Sequence, residues 1–254
     1  HLETLLKSTK KTLVSLMHIN NEIGTILDIQ KVAELCQANN VLFHSDTVQS
    51  VGHYHIDVKE TPIDFLVASA HKFHGPKGVG FTFIRKNSGL KSLITGGTQE
   101  RGIRAGTESI HDIVGLDESL ALSYQFLEVE NTQVRDLKSY FISELTTHIP
   151  GIKFNGACSD SKISTYTLVN LCLPVSATSA PMFLFQLDLK GIACSKGSAC
   201  QSGSGKGSHV LAEILKEEDM KRPSIRFSFS IYNTKKEVQS VVSILKELVN
   251  EANS

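Results

Sequence analysis

The sequence carries no excess charge of either sign. Lys plus Arg and Asp plus Glu number 26 each in 254 residues. That balance removes the electrostatic case for a nucleic-acid partner or an anionic membrane surface. No apolar run approaches the length of a membrane span, and no signal-peptide pattern opens the chain. Cysteine occurs five times, an odd number, without paired CxxC spacing. A disulfide framework or a zinc site is therefore not expected, and a reducing, cytoplasmic compartment is. Repeats are also missing, and no disordered tail is expected beyond the last few residues. What remains is apolar content sufficient for a core, in a length that suits one large domain or two moderate ones.

The chain is organised around Ser69-Ala-His71-Lys72-Phe-His74-Gly75-Pro76-Lys77-Gly78. The nearly continuous apolar run Asp64–Ser69 predicts a buried strand leading into it. Lys72 falls where that strand stops, and Gly75-Pro76 forces a turn. A lysine fixed at a strand end suits Schiff-base chemistry, because burial lowers the ammonium pKa and leaves a nucleophilic amine. A solvated loop lysine is the plainer alternative for this residue taken alone.

Upstream, Leu2, Leu5 and Leu6 have helical spacing, and His1 falls in what reads as a helix already under way. Leu13–Met17 reads as a strand ending at His18-Ile-Asn-Asn21-Glu-Ile-Gly24. Ile29, Val32, Ala33 and Cys36 mark an amphipathic helix over 28–39. A short strand over 41–44 ends at Ser45-Asp46-Thr-Val-Gln49, and another is expected over 79–84. Strands alternating with helices predict an α/β fold with a mainly parallel sheet, whose ligands sit beyond the carboxyl ends of the strands. Asn21, Asp46 with Gln49, and Lys72 with Ser69 and His71 follow three successive strands, so an amide, an acid and an amine are expected at one edge. Asp46 alone would also serve to cap its turn.

The glycine- and arginine-rich stretch 94–108 can bind anions through backbone amides and guanidinium groups, or can be a surface loop. Helices with apolar stripes, read as core packing, are expected over 111–126 and 131–148. From Pro150 the pattern becomes α+β. Strands are expected over 166–173, 192–195 and 225–230, and a helix over 180–190 with Gly191 after it. A capping box, Thr234-Lys-Lys-Glu237, opens a final helix. The domain division expected is 1–125 and 126–254.

Cys200 lies in a run of small residues, Gly197 to Ser208, with no apolar neighbours to bury against. A cysteine in such a setting is a candidate nucleophile or sulfur carrier. Cys36 and Cys172 fit ordinary buried positions, Cys194 a strand end, and Cys158 a turn. The glycines at 203–207 do not form a phosphate loop, because Lys206 is followed by Gly207 and the spacing is wrong.

Together, His18-x-Asn-Asn21-Glu-x-Gly24, His44-Ser-Asp46-x-x-Gln49-Ser, Ser69-x-His71-Lys72, Gly75-Pro-Lys-Gly78, Gln99-Glu-Arg101-Gly-x-Arg104-x-Gly106-Thr107 and Gly197-Ser-Ala-Cys200 resemble the cysteine desulfurases of the NifS/IscS group. The resemblance runs from about Leu13 to the final helix. It implies a pyridoxal 5'-phosphate (PLP) enzyme of fold type I, a class V aminotransferase relative. In such an enzyme Lys72 carries PLP, Asp46 pairs with the pyridinium nitrogen and Gln49 with the ring hydroxyl. Ser69 and His71 hold the phosphate, Thr107 reaches the phosphate of the other subunit in a homodimer, Asn21 also contacts the cofactor, and Asn21 and Arg226 hold the substrate carboxylate. Cys200 attacks the sulfur of L-cysteine, and a sulfur-acceptor or scaffold protein, as in iron–sulfur cluster assembly, is the partner implied. Thr98 stands where the family usually has glycine, Lys196 where serine is common, and Phe229-Ser-Ile where a Leu-Gly pair is usual. The family's N-terminal segment, with a Gly-x-Thr phosphate turn and a ring-stacking histidine, has no counterpart here. The sequence therefore resembles the later two-thirds of a desulfurase, and weak or no PLP binding is expected of this chain alone. A selenocysteine lyase, a related class V lyase or aminotransferase, and a non-catalytic dimerisation or acceptor-docking fragment remain alternatives.

Overall fold

The computed structural model describes residues 1–8, 10–176, 180–196 and 207–253. They form two compact units, 1–18 with 27–127 and 19–26 with 128–254.

The first unit opens with the single-turn helix α1 (Leu2–Leu5) and strand β1 (Leu13–Met17). Helix α2 (Ile29–Ala38) follows, capped by Asp28, whose carboxylate accepts from the Lys31 amide at 3.0 Å. Strands β2 (Leu42–Asp46), β3 (Phe65–Ser69) and β4 (Gly80–Ile84) complete a sheet in the order β1-β2-β3-β4. The first three are parallel and β4 is antiparallel to β3. The predicted α/β class and mainly parallel sheet are observed.

Period-two alternation divides this sheet into unlike faces. Val14, Phe43 and Leu66 are buried against Ile29, Val32, Ala33 and Cys36 of α2. The opposite face is open, with Leu13 56%, Met17 42% and Leu42 37% exposed. Parallel sheets are ordinarily covered on both sides. After β4, the segment 94–106 closes on itself through the Ala105 amide and the Ile94 carbonyl at 3.1 Å. Helix α3 (Ile110–Gln125) then packs Leu116 and Leu120 against Val51, Ala70 and Phe73. The apolar stripe of α3 was expected to be core, but none of its residues is buried, and Ile110 and Val114 are 66% and 62% exposed.

The second unit takes nearly all of helix α4 (Leu127–His148), strands β5 (Lys153–Phe154), β6 (Leu168–Cys172) and β7 (Ser224–Ser228), and helices α5 (Ala180–Leu189), α6 (His209–Ile214), α7 (Glu217–Met220) and α8 (Lys235–Ala252). β6 lies between β5 and β7, antiparallel to both. The capping box at Thr234 and Glu237 is complete and opens α8. Val238, Val242, Leu245 and Leu248 of α8 pack with Phe141, Leu145, Leu171, Phe183 and Ile225 in one core. The strand expected over 192–195 is not regular, since only Ser195 pairs, with Arg226. The short elements β5, α6 and α7 carry too few residues to show a period, and the sequence did not predict them.

Candidate active site

In the first unit, chemistry collects where β2 and β3 end. Asp46 is the last residue of β2 and pairs in register with Val67, two residues before the end of β3 at Ser69. Asp46 and Ser69 therefore lie on the same open sheet face. The turn after β2 is tightly held. Thr47 donates its hydroxyl to the Val67 carbonyl at 2.6 Å, and the amides of Ser50 and Val51 both donate to the Thr47 carbonyl at 2.9 Å. Asp46 does cap this turn, accepting from the Val48 amide at 3.0 Å, but with one oxygen of an exposed carboxylate. Gln49 sits half-buried in the same turn.

β3 passes directly into a single 3-10 turn, Ala70–Phe73. Ala70 and Phe73 are buried, which leaves His71 exposed and Lys72 half-buried, so burial of the lysine is partial. His74 then takes the left-handed conformation at φ 65°, and the Gly75 amide returns to the Ala70 carbonyl at 2.9 Å. Gly75 permits this because a Cβ there would lie 2.9 Å from the Ala70 Cβ. The Lys72 carbonyl accepts from His53 Nε2 at 2.9 Å. A carbonyl only accepts, so His53 carries its proton on Nε2. The Phe73 carbonyl accepts from Ser123 of α3 at 3.4 Å. The backbone that presents Lys72 is thus fixed from the β2 turn and from α3. Nothing local in the sequence pointed to His53.

His18, which follows β1, is also missing from the sequence-derived set. Its amide donates to the Asp46 carbonyl at 2.9 Å, and its buried Nδ1 has no hydrogen-bond partner among the described residues. Burial holds the imidazole down at about 4, against a smaller opposing pull from Asp28, so it is neutral at physiological pH. Thr107 is exposed, beyond a loop in which Arg104 donates to the Gly106 carbonyl at 2.8 Å. Glu100 and Arg101 there are both left-handed, at φ 48° and 58°.

Asn21, expected beside Asp46 and Lys72, follows β1 in a stretch that groups with the second unit. The chain turns back at Asn20, whose side chain accepts from the amides of Glu22 and Ile23 at 2.9 and 3.0 Å, and residues 19–26 belong to the second unit. There Asn21 does meet Arg226. The half-buried Arg226 on β7 donates Nη1 to the Asn21 carbonyl at 2.6 Å. Burial lowers the Arg226 pKa, and Glu22 opposes that shift. Cys200 lies outside the described residues. Cys36, Cys158 and Cys172 are buried thiols. Burial, then Asp188, pushes Cys194 up to about 11, which leaves it a poor nucleophile.

A carboxylate, an amine, a hydroxyl and an imidazole from Asp46, Lys72, Ser69 and His71, at the ends of two neighbouring parallel strands, form a donor set of the right chemistry for PLP. It offers one anion for a protonated ring nitrogen, one amine for the aldehyde and donors for a phosphate. A mostly parallel α/β sheet with that edge defines the class as PLP fold type I. Residues 1–241 match the aminotransferase class-V family, and the chain belongs to it. It is 37% identical over 239 residues to the cysteine desulfurase IscS of Dictyoglomus turgidum, covering 94% of this chain and 59% of the relative. With a probable mitochondrial cysteine desulfurase of Dictyostelium discoideum it shares 38% over 250 residues, covering 96% and 54%. A NifS-like protein structure superposes with a TM-score of 0.84 at 30% identity, covering 99% of this chain and 65% of that one. A NifS-like protein from Rickettsia africae gives 0.84 at 28%, covering 98% and 65%. The chain thus spans less than two-thirds of the relatives it matches. Among the described residues, no helix is long and apolar enough to cross a membrane.

Proposed function

We propose that the protein is the later part of a PLP-dependent cysteine desulfurase, converting L-cysteine to L-alanine and leaving the sulfur as a persulfide on Cys200. The main support is the common face of Asp46 and Ser69, with Lys72 three residues beyond Ser69 on a backbone fixed by His53 and Ser123. The desulfurase names of its relatives add to it.

When bound, PLP supplies an electron sink that makes the bonds at the substrate Cα and Cβ labile. Lys72 holds the cofactor and moves the proton at Cα. Asp46 keeps the ring nitrogen protonated, Gln49 bonds the ring hydroxyl, and Ser69 and His71 grip the phosphate, with Thr107 serving the other subunit of a homodimer. Arg226 with Asn21 takes the substrate carboxylate, charge to charge. The Cys200 thiolate attacks the substrate sulfur. An S–S bond forms, the C–S bond breaks, and its electron pair stays on carbon, which takes up a proton to become the methyl group of alanine. The outer sulfur then passes to an acceptor or scaffold protein, which leaves the Cys200 thiolate, in a cytoplasmic iron–sulfur assembly setting.

The test is to mix the PLP-loaded protein with L-cysteine and measure alanine and protein-bound sulfane sulfur. Cys200→Ser should yield neither, and Cys194→Ser should yield both at the parental rate. Alanine release by Cys200→Ser at the parental rate would overturn the reading in favour of a lyase acting on selenocysteine or a related substrate.

A further inference from the structure

The second unit contains a buried polar cluster that the proposed reaction does not use. Glu22 is 2% exposed, and its carboxylate accepts the Ser208 hydroxyl at 2.5 Å. Ser208 is the N-cap of α6, its oxygen accepting in turn from the Leu211 amide at 3.0 Å. The backbone of Glu22 is held as well. Asn170 on β6 donates Nδ2 to the Glu22 carbonyl at 2.9 Å, and Asn155 fixes that amide by donating to Asn170 Oδ1 at 2.8 Å. Asn170 and Arg226 are register partners across β6 and β7. Two neighbouring side chains on one sheet face therefore hold the consecutive carbonyls of Glu22 and Asn21. On its other side the Arg226 backbone pairs with Ser195, through bonds of 2.7 and 3.1 Å.

Ser195 and Ser208 bracket Cys200 in the sequence, five residues before it and eight after it. The first is tied to the Arg226 backbone, the second to the Glu22 carboxylate, and Glu22 also acts electrostatically on the Arg226 guanidinium. A buried carboxylate is costly unless it is bonded, so its retention beside a cap that an amide or hydroxyl could satisfy calls for a use. We infer that Glu22 is a positioning residue: it ties Ser208, the N-cap of α6, into the same frame that holds Arg226. The inference rests on the proposed roles of Cys200 and Arg226.

Lys196 and Lys206 place trypsin sites just inside the two tethers. In the whole chain without cofactor, Glu22→Ala and Ser208→Ala should each speed cleavage after Lys206 about ten-fold, the scale of a lost hydrogen bond to a charged group, with little change after Lys196. The double variant should be no faster than either single one, because both remove the same bond. Glu22→Gln keeps an acceptor oxygen and should restore the parental rate. In the PLP-loaded protein, Ser208→Ala should lower kcat for alanine formation with little change in KM. Parental cleavage after Lys206 in both alanine variants, or additive acceleration in the double variant, would overturn the inference. If Glu22→Ala fails to fold, Ser208→Asp decides the matter, because it keeps an oxygen to cap the Leu211 amide but has no hydroxyl to donate to Glu22. Failure of the desulfurase reading shows separately, as full activity of Cys200→Ser.

Discussion

Gly52 offers a direct test of how the lysine is presented. It lies in the turn after β2 at φ 82°, and a Cβ built there would stand 2.5 Å from the Phe73 Cβ and 3.0 Å from its Cγ. Phe73 is 1% exposed and follows Lys72 in the 3-10 turn, so it cannot swing aside. Gly52→Ala therefore incurs two costs. The left-handed backbone is about 1–2 kcal/mol worse with a Cβ. Forcing a methyl into a packed contact adds roughly 1–3 kcal/mol. Gly89 provides the control, because its φ is 76° but nothing lies within 4 Å of a Cβ there. Gly89→Ala should show only the backbone cost, shifting Tm by about 2–8 °C at the usual 2–4 °C per kcal/mol. Gly52→Ala should shift Tm further and also weaken PLP retention, since the displaced Phe73 moves the adjacent Lys72. The assays are thermal denaturation by circular dichroism and the yield of protein-bound PLP after borohydride reduction. If Gly52→Ala matches Gly89→Ala in both Tm and PLP yield, the Phe73 contact does not fix the lysine and the packing argument fails.

Lys72→Ala should keep its circular dichroism spectrum and lose all reducible PLP attachment at saturating cofactor; attachment elsewhere, for instance at Lys77, would refute the assignment. Lys138 is 4% exposed and donates to Ser164 Oγ and the Thr165 carbonyl at 3.0 and 2.6 Å, and burial brings it from 10.5 down to about 8. Its folded pKa lies below the unfolded one, so the charged form costs stability below about pH 8, and that cost fades as pH rises towards 10.5. Relative to Lys138→Met, the parent should gain on the order of 3 kcal/mol across that window in urea titrations; parallel pH profiles would refute this. Thr234→Ala removes the α8 cap and should cost about 1 kcal/mol in the same titrations, whereas an unchanged midpoint would mean that α8 is held by its core face alone.

The elements legible in the sequence are those whose pattern is local. The apolar positions of α2 and α8, the continuous apolar run of β3 and the Thr234–Glu237 box each appear within one stretch, and the structure contains all of them. The end of β3 was legible for the same reason, whereas β2 runs two residues past its expected end at 44, through Asp46. Asn21 also follows a strand, but the chain reversal in which it sits depends on distant residues. Gly24 stands at φ 71° against Leu168 and Thr165, and the Ile26 and Thr165 amides complete the pairing with Ile163 and Gly24. α3 misled in the opposite sense. Its apolar stripe marks a surface that needs covering, but periodicity alone does not say whether the described residues supply the cover. The Glu22 cluster lay beyond local reading, because its bonds join residues 148, 186 and 205 positions apart. The motif containing Asn21 and Glu22 showed that those positions mattered. That the Asn21 and Glu22 carbonyls are both bonded follows from the pairing of β6 with β7, which sets Asn170 beside Arg226 and lets the two grip adjacent peptide units.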